Sequence, residues 1–148
     1  MKQYNEVCSK IREFNRFYTV QMELLSSNYL GSPYSVTETR ILFELWSHRG
    51  CQQSEIVRTL HIDKSYLSRI MRRFCAKGLV EKSRTGSDKR VENLFLTQFG
   101  NAETERLIEL TNQRILAQIK NLGEEECDQL SAALDTVISV LGRRAGEE

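Results

Sequence analysis

The chain has 148 residues, enough for one domain with a sizeable core, and its 28% charged and 40% hydrophobic residues are the ordinary mix of a globular protein. No run of 18 apolar residues occurs, which excludes a membrane-spanning helix, and no apolar signal core follows Met1-Lys2-Gln3-Tyr4-Asn5-Glu6, so a cytoplasmic protein is expected. The formal net charge of +1 is unevenly placed: residues 51–90 hold ten Lys/Arg against four Asp/Glu, and residues 101–148 hold five against ten. One basic segment in a balanced chain is the footprint of a localised phosphate-binding surface.

From residue 5 to residue 30, apolar side chains recur at Val7, Ile11, Phe14, Tyr18, Met22 and Leu25. The steps of three and four predict one long amphipathic helix, ended by Gly31-Ser32-Pro33. Ser35 and Glu38 form a capping box for a second helix with Ile41, Leu42, Leu45 and Trp46 turned inward. A short helix follows from near Gln53 to Leu60. His61 falls in a turn that wants a left-handed backbone, which glycine adopts at less cost than histidine. Asp63 is a good N-cap for a helix reaching about Lys77, where Gly78 stops it. Val80–Arg84 and Val91–Leu96 read as strands flanking Thr85-Gly86-Ser87-Asp88-Lys89-Arg90, a hairpin with a projecting polar tip. Thr97 caps a helix over about 98–121, with Leu107, Leu110, Ile115, Ile119 and Leu122 as its apolar stripe. Glu124-Glu125-Glu126 open a last helix, where acidic residues favour the N-terminus. It carries Cys127, Leu130, Leu134, Val137 and Leu141.

These elements predict a mainly α protein with a small β-hairpin wing. One domain, 1–148, holds a winged helix-turn-helix over about 35–100, flanked by dimerisation helices in 1–32 and 101–148. The outer helices have apolar stripes that must be buried. Packing on a second copy across a two-fold axis buries them and sets two recognition helices on one side of a dimer.

The helix from Asp63 to Lys77 has two tasks. Leu67, Ile70, Met71 and Phe74 anchor it, which leaves Lys64, Ser65, Tyr66, Ser68, Arg69, Arg72 and Arg73 for a DNA groove. Residues near the N-terminus of such a helix reach base edges, so Ser65, Tyr66 and Arg69 are the candidates for sequence reading. Arginine can grip guanine O6 and N7 with both arms. Arg72 and Arg73 lie further along and suit phosphate. Lys82, Arg84, Lys89 and Arg90 form a second basic group in the wing, whose tip suits a narrow minor groove. Asp88 is expected to hold the Arg90 guanidinium by a salt bridge across the tip; the other reading is an exposed pair worth under ~1 kcal/mol.

On these residues the whole chain resembles a MarR-type regulator. The matching features are Ser54-Glu55-Ile56, Leu67-Ser68-Arg69-Ile70 and Lys77-Gly78-Leu79-Val80-Glu81. The most specific marks are Asp88-Lys89-Arg90 at the tip and Leu96-Thr97 with Gly100 after it. Phe14-Asn15-Arg16-Phe17-Tyr18-Thr19, with the run from Tyr66 to Phe74, is similar to the MarR-type half of proteins that join this domain to a GNAT acetyltransferase. No acetyltransferase half follows up to Glu148, so a stand-alone relative or a shortened product is expected, and a regulatory module derived from or partnering such an enzyme is an alternative reading. The resemblance implies an obligate homodimer on a pseudo-palindromic double-stranded operator, with regulation, repression foremost, tuned by a small ligand or by oxidation. It also implies an effector crevice between the winged helix and the dimer helices. Tyr18, Met22, Tyr29, Tyr34 and Trp46 are candidates to line it, simple core residues being the other reading of each. Cys8, in the first helix, stands where some relatives sense peroxides. His61, where glycine is frequent, and Gln52, where Ser or Thr often caps a helix, depart from the pattern.

An enzyme is the reading from another class. His48 and His61 are the only histidines, and the cysteines, Cys8, Cys51, Cys75 and Cys127, form no CxxC pair. With no Ser/His/Asp set, metal-ligand spacing or Gly-rich phosphate loop, no catalytic residue, cofactor or metal is assigned. A winged helix used only for protein contacts would leave the basic wing and helix without a purpose.

Overall fold

A computed structural model describes residues 1–84, 88 and 90–142, the side chain of Lys2 excepted. The chain divides into two compact units, Met1–Asn112 and Gln113–Glu148.

In the first unit, helix α1 spans Lys2–Gln21, shorter than its apolar period suggests. The backbone turns left-handed at Glu23 (φ 55°). The Ser26 hydroxyl then donates to the Asn28 carbonyl at 3.0 Å and accepts from its N–H at 3.3 Å. Short polar side chains that bond nearby backbone compete with helix in this way. After a 3₁₀ turn at Tyr29–Gly31, helix α2 runs Val36–Ser47. Its capping box is closed: the Glu38 N–H donates to Ser35 Oγ at 3.1 Å, and the Ser35 N–H donates to Glu38 Oε2 at 2.9 Å. Helix α2 buries Ile41, Leu42 and Leu45. Trp46, expected inward, is instead 43% exposed and stacks on Phe43 with ring centroids 6.0 Å apart. At about 100° per residue, it lies roughly 90° from the centre of the buried arc.

Helices α3 (Gln53–Leu60) and α4 (Lys64–Ala76) form the helix-turn-helix. His61 takes the left-handed conformation expected of the turn, φ 50° and ψ 43°. Asp63 caps α4 by accepting from the Tyr66 N–H at 2.8 Å. Leu67, Ile70, Met71 and Phe74 of α4 join Ile41, Leu42, Leu45, Ile56, Leu79, Leu94 and Leu107 in one core. Burying each such side chain contributes about 1.5–3 kcal/mol, which fixes α4 and leaves its other face outward.

Strands β1 (Val80–Ser83) and β2 (Asn93–Leu96) pair antiparallel, from Val80 opposite Leu96 to Ser83 opposite Asn93. The loop between α2 and α3 adds a backbone segment to this ribbon. The Gly50 N–H donates to Leu94 O at 3.1 Å, and the Leu94 N–H donates to Cys51 O at 2.9 Å.

Thr97 and Gly100 seat the start of helix α5 (Gln98–Ile119). The Gly100 N–H donates to Thr97 Oγ1 at 3.0 Å, as a cap should, and the Thr97 N–H donates to Leu79 O at 3.0 Å. A Cβ at position 100 would lie 2.0 Å from Leu79 O. The Leu-Thr-x-x-Gly pattern is therefore a contact motif, in which a helix turn rests on the carbonyl that leads into β1.

The second unit contains the end of α5 and helix α6 (Glu124–Gly142). Glu126 Oε2 accepts from the Gly123 N–H at 2.9 Å. Helix α6 buries no residue, and Leu130, Leu134, Val137, Ile138 and Leu141 are 42–69% exposed. The architecture is mainly α with one hairpin wing.

Candidate nucleic-acid interface

Helix α4 separates its two tasks by face. Leu67, Ile70, Met71 and Phe74 are at most 1% exposed, while Lys64, Ser65, Tyr66, Arg69, Arg72 and Arg73 all lie on the exposed side. A core that buries one face this completely presents the other at a fixed angle.

The exposed cations fall into two groups. Among the described residues, Lys64, Arg69, Arg72 and Arg90 have no acidic partner. Arg69 instead lies over the Tyr66 ring, 6.0 Å from its centroid. Arg73, Arg84 and Lys82 are already engaged. The Arg73 guanidinium donates to Glu38 Oε1, tying α4 to the first turn of α2. Arg84 donates to Glu92 Oε1 at 3.0 Å, and Lys82 lies 3.7 Å from Glu92 Oε2. The Arg84 hydrogen bond, with the charge of Lys82, holds the Glu92 carboxyl below its ordinary range. Ser68, expected to face DNA, is half-buried and donates to Gln53 Oε1 at 3.3 Å. It links the two helices of the helix-turn-helix.

At the wing, Asp88 acts on backbone. Its Oδ1 accepts from the Arg90 N–H at 3.0 Å, and its carbonyl accepts from the Val91 N–H at 3.3 Å. No ion pair joins it to the Arg90 guanidinium among the described residues. An Asx bond of this kind is the usual turn role of aspartate, so Asp88 shapes the chain that carries Arg90 without gripping its side chain. Lys89 and Thr85-Gly86-Ser87 lie outside the described residues.

The candidate effector residues are spread over different surroundings. Met22, Tyr29 and Tyr34 are buried, whereas Tyr18 and Trp46 are 39% and 43% exposed. Tyr18 stacks on Phe14 with centroids 5.4 Å apart. An open hollow along α1, lined by Arg12, Glu13, Arg16 and Phe17 among others, includes none of the five. Tyr34 belongs to the core. Its hydroxyl donates to Glu103 Oε2 at 2.9 Å, and its ring meets Phe74 edge-on at 6.5 Å. Arg106 donates twice to the same carboxylate, at 3.2 Å each. Burial, then Glu103, pushes the Tyr34 phenol up to about 12, and Arg106 holds Glu103 below its ordinary range. Glu103 and Arg106 are three apart on α5, but no spacing rule links either to position 34, so the part of Tyr34 in this cluster was invisible in the sequence. The Tyr66–Arg69 contact was readable, since residues three apart on a helix are neighbours.

Cys8 is exposed. Cys51 is buried, and burial, with the charge of Glu55, raises its thiol, which disfavours the reactive thiolate. Among the described residues no three His, Cys, Asp or Glu side chains gather as a metal site, and no helix is long and apolar enough to cross a membrane.

Residues 34–91 match the family model described as the MarR family. The organic hydroperoxide resistance transcriptional regulator of Bacillus subtilis (strain 168) is 25% identical over 148 residues, covering 97% of this chain and 95% of that protein. The HTH-type transcriptional regulator BilQ of Clostridium symbiosum (strain WAL-14163) is 31% identical over 85 residues, 57% of this chain and 59% of that one. Among solved structures, a cysteine-to-serine mutant of MarR from E. coli complexed with operator DNA superposes with a TM-score of 0.70 at 26% identity, covering 91% of this chain and 97% of that one. The matched segment holds the helix-turn-helix and most of the wing, and the structural likeness extends over both flanking helical regions; the chain has the fold of the MarR structures, and its residues 34–91 are a winged helix-turn-helix of the MarR family.

Proposed function

We propose that the chain is a homodimeric transcriptional regulator that binds a two-fold repeated operator, acts in the cytoplasm, and represses until a small ligand or stress signal releases it. The observation that carries DNA binding is the outward face of α4, where Lys64, Arg69 and Arg72 stand exposed without acidic partners among the described residues. Exposed cations held in register by a buried helix face suit a phosphate-lined groove. The operator-bound relative supports the same reading. A homodimer fits the exposed apolar side chains of α1 (Val7, Ile11, Phe14, Phe17) and of α6 (Leu130, Leu134, Val137, Leu141), because apolar stripes of this extent seek a partner. The domain assignment follows: residues 35–100 read DNA and the helices on either side pair the copies. Regulators rather than enzymes populate the similar proteins, which supports a chain without catalytic residues.

The test is selection from a pool of random-sequence duplexes. The reading expects enrichment of one sequence repeated in inverted orientation, with half-sites about one helical turn apart. Recovery of duplexes with no shared sequence would reject sequence-specific binding.

A further inference from the structure

The reading helix carries one contact whose consequence goes beyond charge. Tyr66 and Arg69 are one turn apart on α4, and the Arg69 guanidinium lies over the Tyr66 ring at 6.0 Å from its centroid. Asp63 fixes the base of this platform by accepting from the Tyr66 N–H at 2.8 Å. Tyr66 cannot turn inward, because Leu67 and Ile70 occupy the core side. Arg69 therefore stands over an anchored aromatic face, with no acidic partner among the described residues to draw it away. We propose that Tyr66 is a positioning residue for sequence reading, holding the Arg69 guanidinium over its ring so that the arginine meets guanine already oriented. The inference rests on the DNA-binding reading above and deepens it.

The physical case is geometric. Gripping guanine O6 and N7 together requires the guanidinium to lie near the plane of the base. A free arginine side chain samples many rotamers and loses that freedom on binding. An aromatic face favours a guanidinium within about 6 Å of its centre, so part of the ordering is complete before DNA arrives. The hydroxyl of Tyr66 plays no part in this, only the ring. Tyr66 thereby affects the choice of base more than the attraction to phosphate.

The test uses the full-length protein and the duplex selected from the random pool, with 7-deazaguanine, which lacks the N7 acceptor, placed at one guanine at a time. In the wild type, one guanine per half-site should carry a penalty of about tenfold on N7 removal, and Arg69→Ala should erase that penalty. Tyr66→Phe keeps the ring and should keep the penalty. Tyr66→Leu should shrink it several-fold. Thermal melting confirms that each variant is folded. An undiminished penalty in Tyr66→Leu, or equal loss in Tyr66→Phe and Tyr66→Leu, overturns the positioning role, as does a duplex in which Arg69→Ala erases no penalty. Failure of the wild type to bind any duplex instead rejects the DNA-binding reading itself, and the inference falls with it.

Discussion

Neighbouring arginines on α4 have different work. Arg72 has no acidic partner among the described residues, while Arg73 bonds Glu38, whose carboxylate also closes the α2 capping box. Arg72→Ala should weaken DNA binding and leave the melting temperature unchanged. Arg73→Ala should lower stability by about 0.5–1 kcal/mol, the screened value of a half-exposed pair, which thermal melting would register. Equal effects of the two changes on affinity and on melting would contradict this division. Tyr34 gives a second residue-level test. Its hydroxyl bond to Glu103 is partly buried, so Tyr34→Phe should cost about 1 kcal/mol and remove an ionisation at about 12 from an absorbance titration. The folded-state value is raised above the ordinary 10.0. The stabilisation is therefore complete below about pH 10 and is lost as the pH rises toward 12. Glu103, held below its ordinary range, works in the opposite sense: its contribution is present above the ordinary carboxylate range and fades as the pH falls through the lowered value.

Two backbone positions decide how well the elements of the reading head fit together. Gly100→Ala would drive a Cβ to 2.0 Å from Leu79 O, and backbone cannot yield as a flexible side chain can. A loss of about 3 kcal/mol is expected, read by urea unfolding; a loss under 1 kcal/mol would mean that α5 lifts off β1 easily. His61→Gly should stabilise by about 1 kcal/mol, since a non-glycine residue at φ 50° carries strain that glycine does not. Most elements were legible in the sequence because each has its own local signal. Ser35-x-x-Glu38, the Asp63 cap, the Gly78 stop and the three-four stripe of Leu67, Ile70, Met71 and Phe74 depend on residues close together in the chain. The sequence sets the end of α1 too late because Gly31 and Pro33 are stronger break signals than the Ser26–Asn28 turn. Trp46 reads as inward because it stands four residues after Leu42, but the buried arc centres between Ile41 and Leu42 and leaves it to one side. Of the site, the basic residues were legible as a set. Their partners were not, since Glu38–Arg73, Lys82 and Arg84 with Glu92, and Ser68–Gln53 depend on how elements pack.

At the scale of the whole molecule, α1 and α6 expose apolar side chains that a second copy would cover. If these faces pair two copies as proposed, Leu134→Glu should give a monomer in sedimentation at micromolar concentration and reduce operator affinity far more than affinity for random DNA, since only a dimer engages two half-sites. A variant that stays dimeric and binds as before would move the interface elsewhere. Lys64, Arg72 and Arg90, without acidic partners among the described residues, are assigned to phosphate, and the salt dependence of binding tests that assignment most directly. If Lys64, Arg72 and Arg90 each neutralise one phosphate in both copies, a plot of log affinity against log salt concentration should have a slope of about −5, which Arg72→Ala should reduce by about 2. A slope near zero, or one that Arg72→Ala leaves unchanged, would contradict the assignment of this face to DNA.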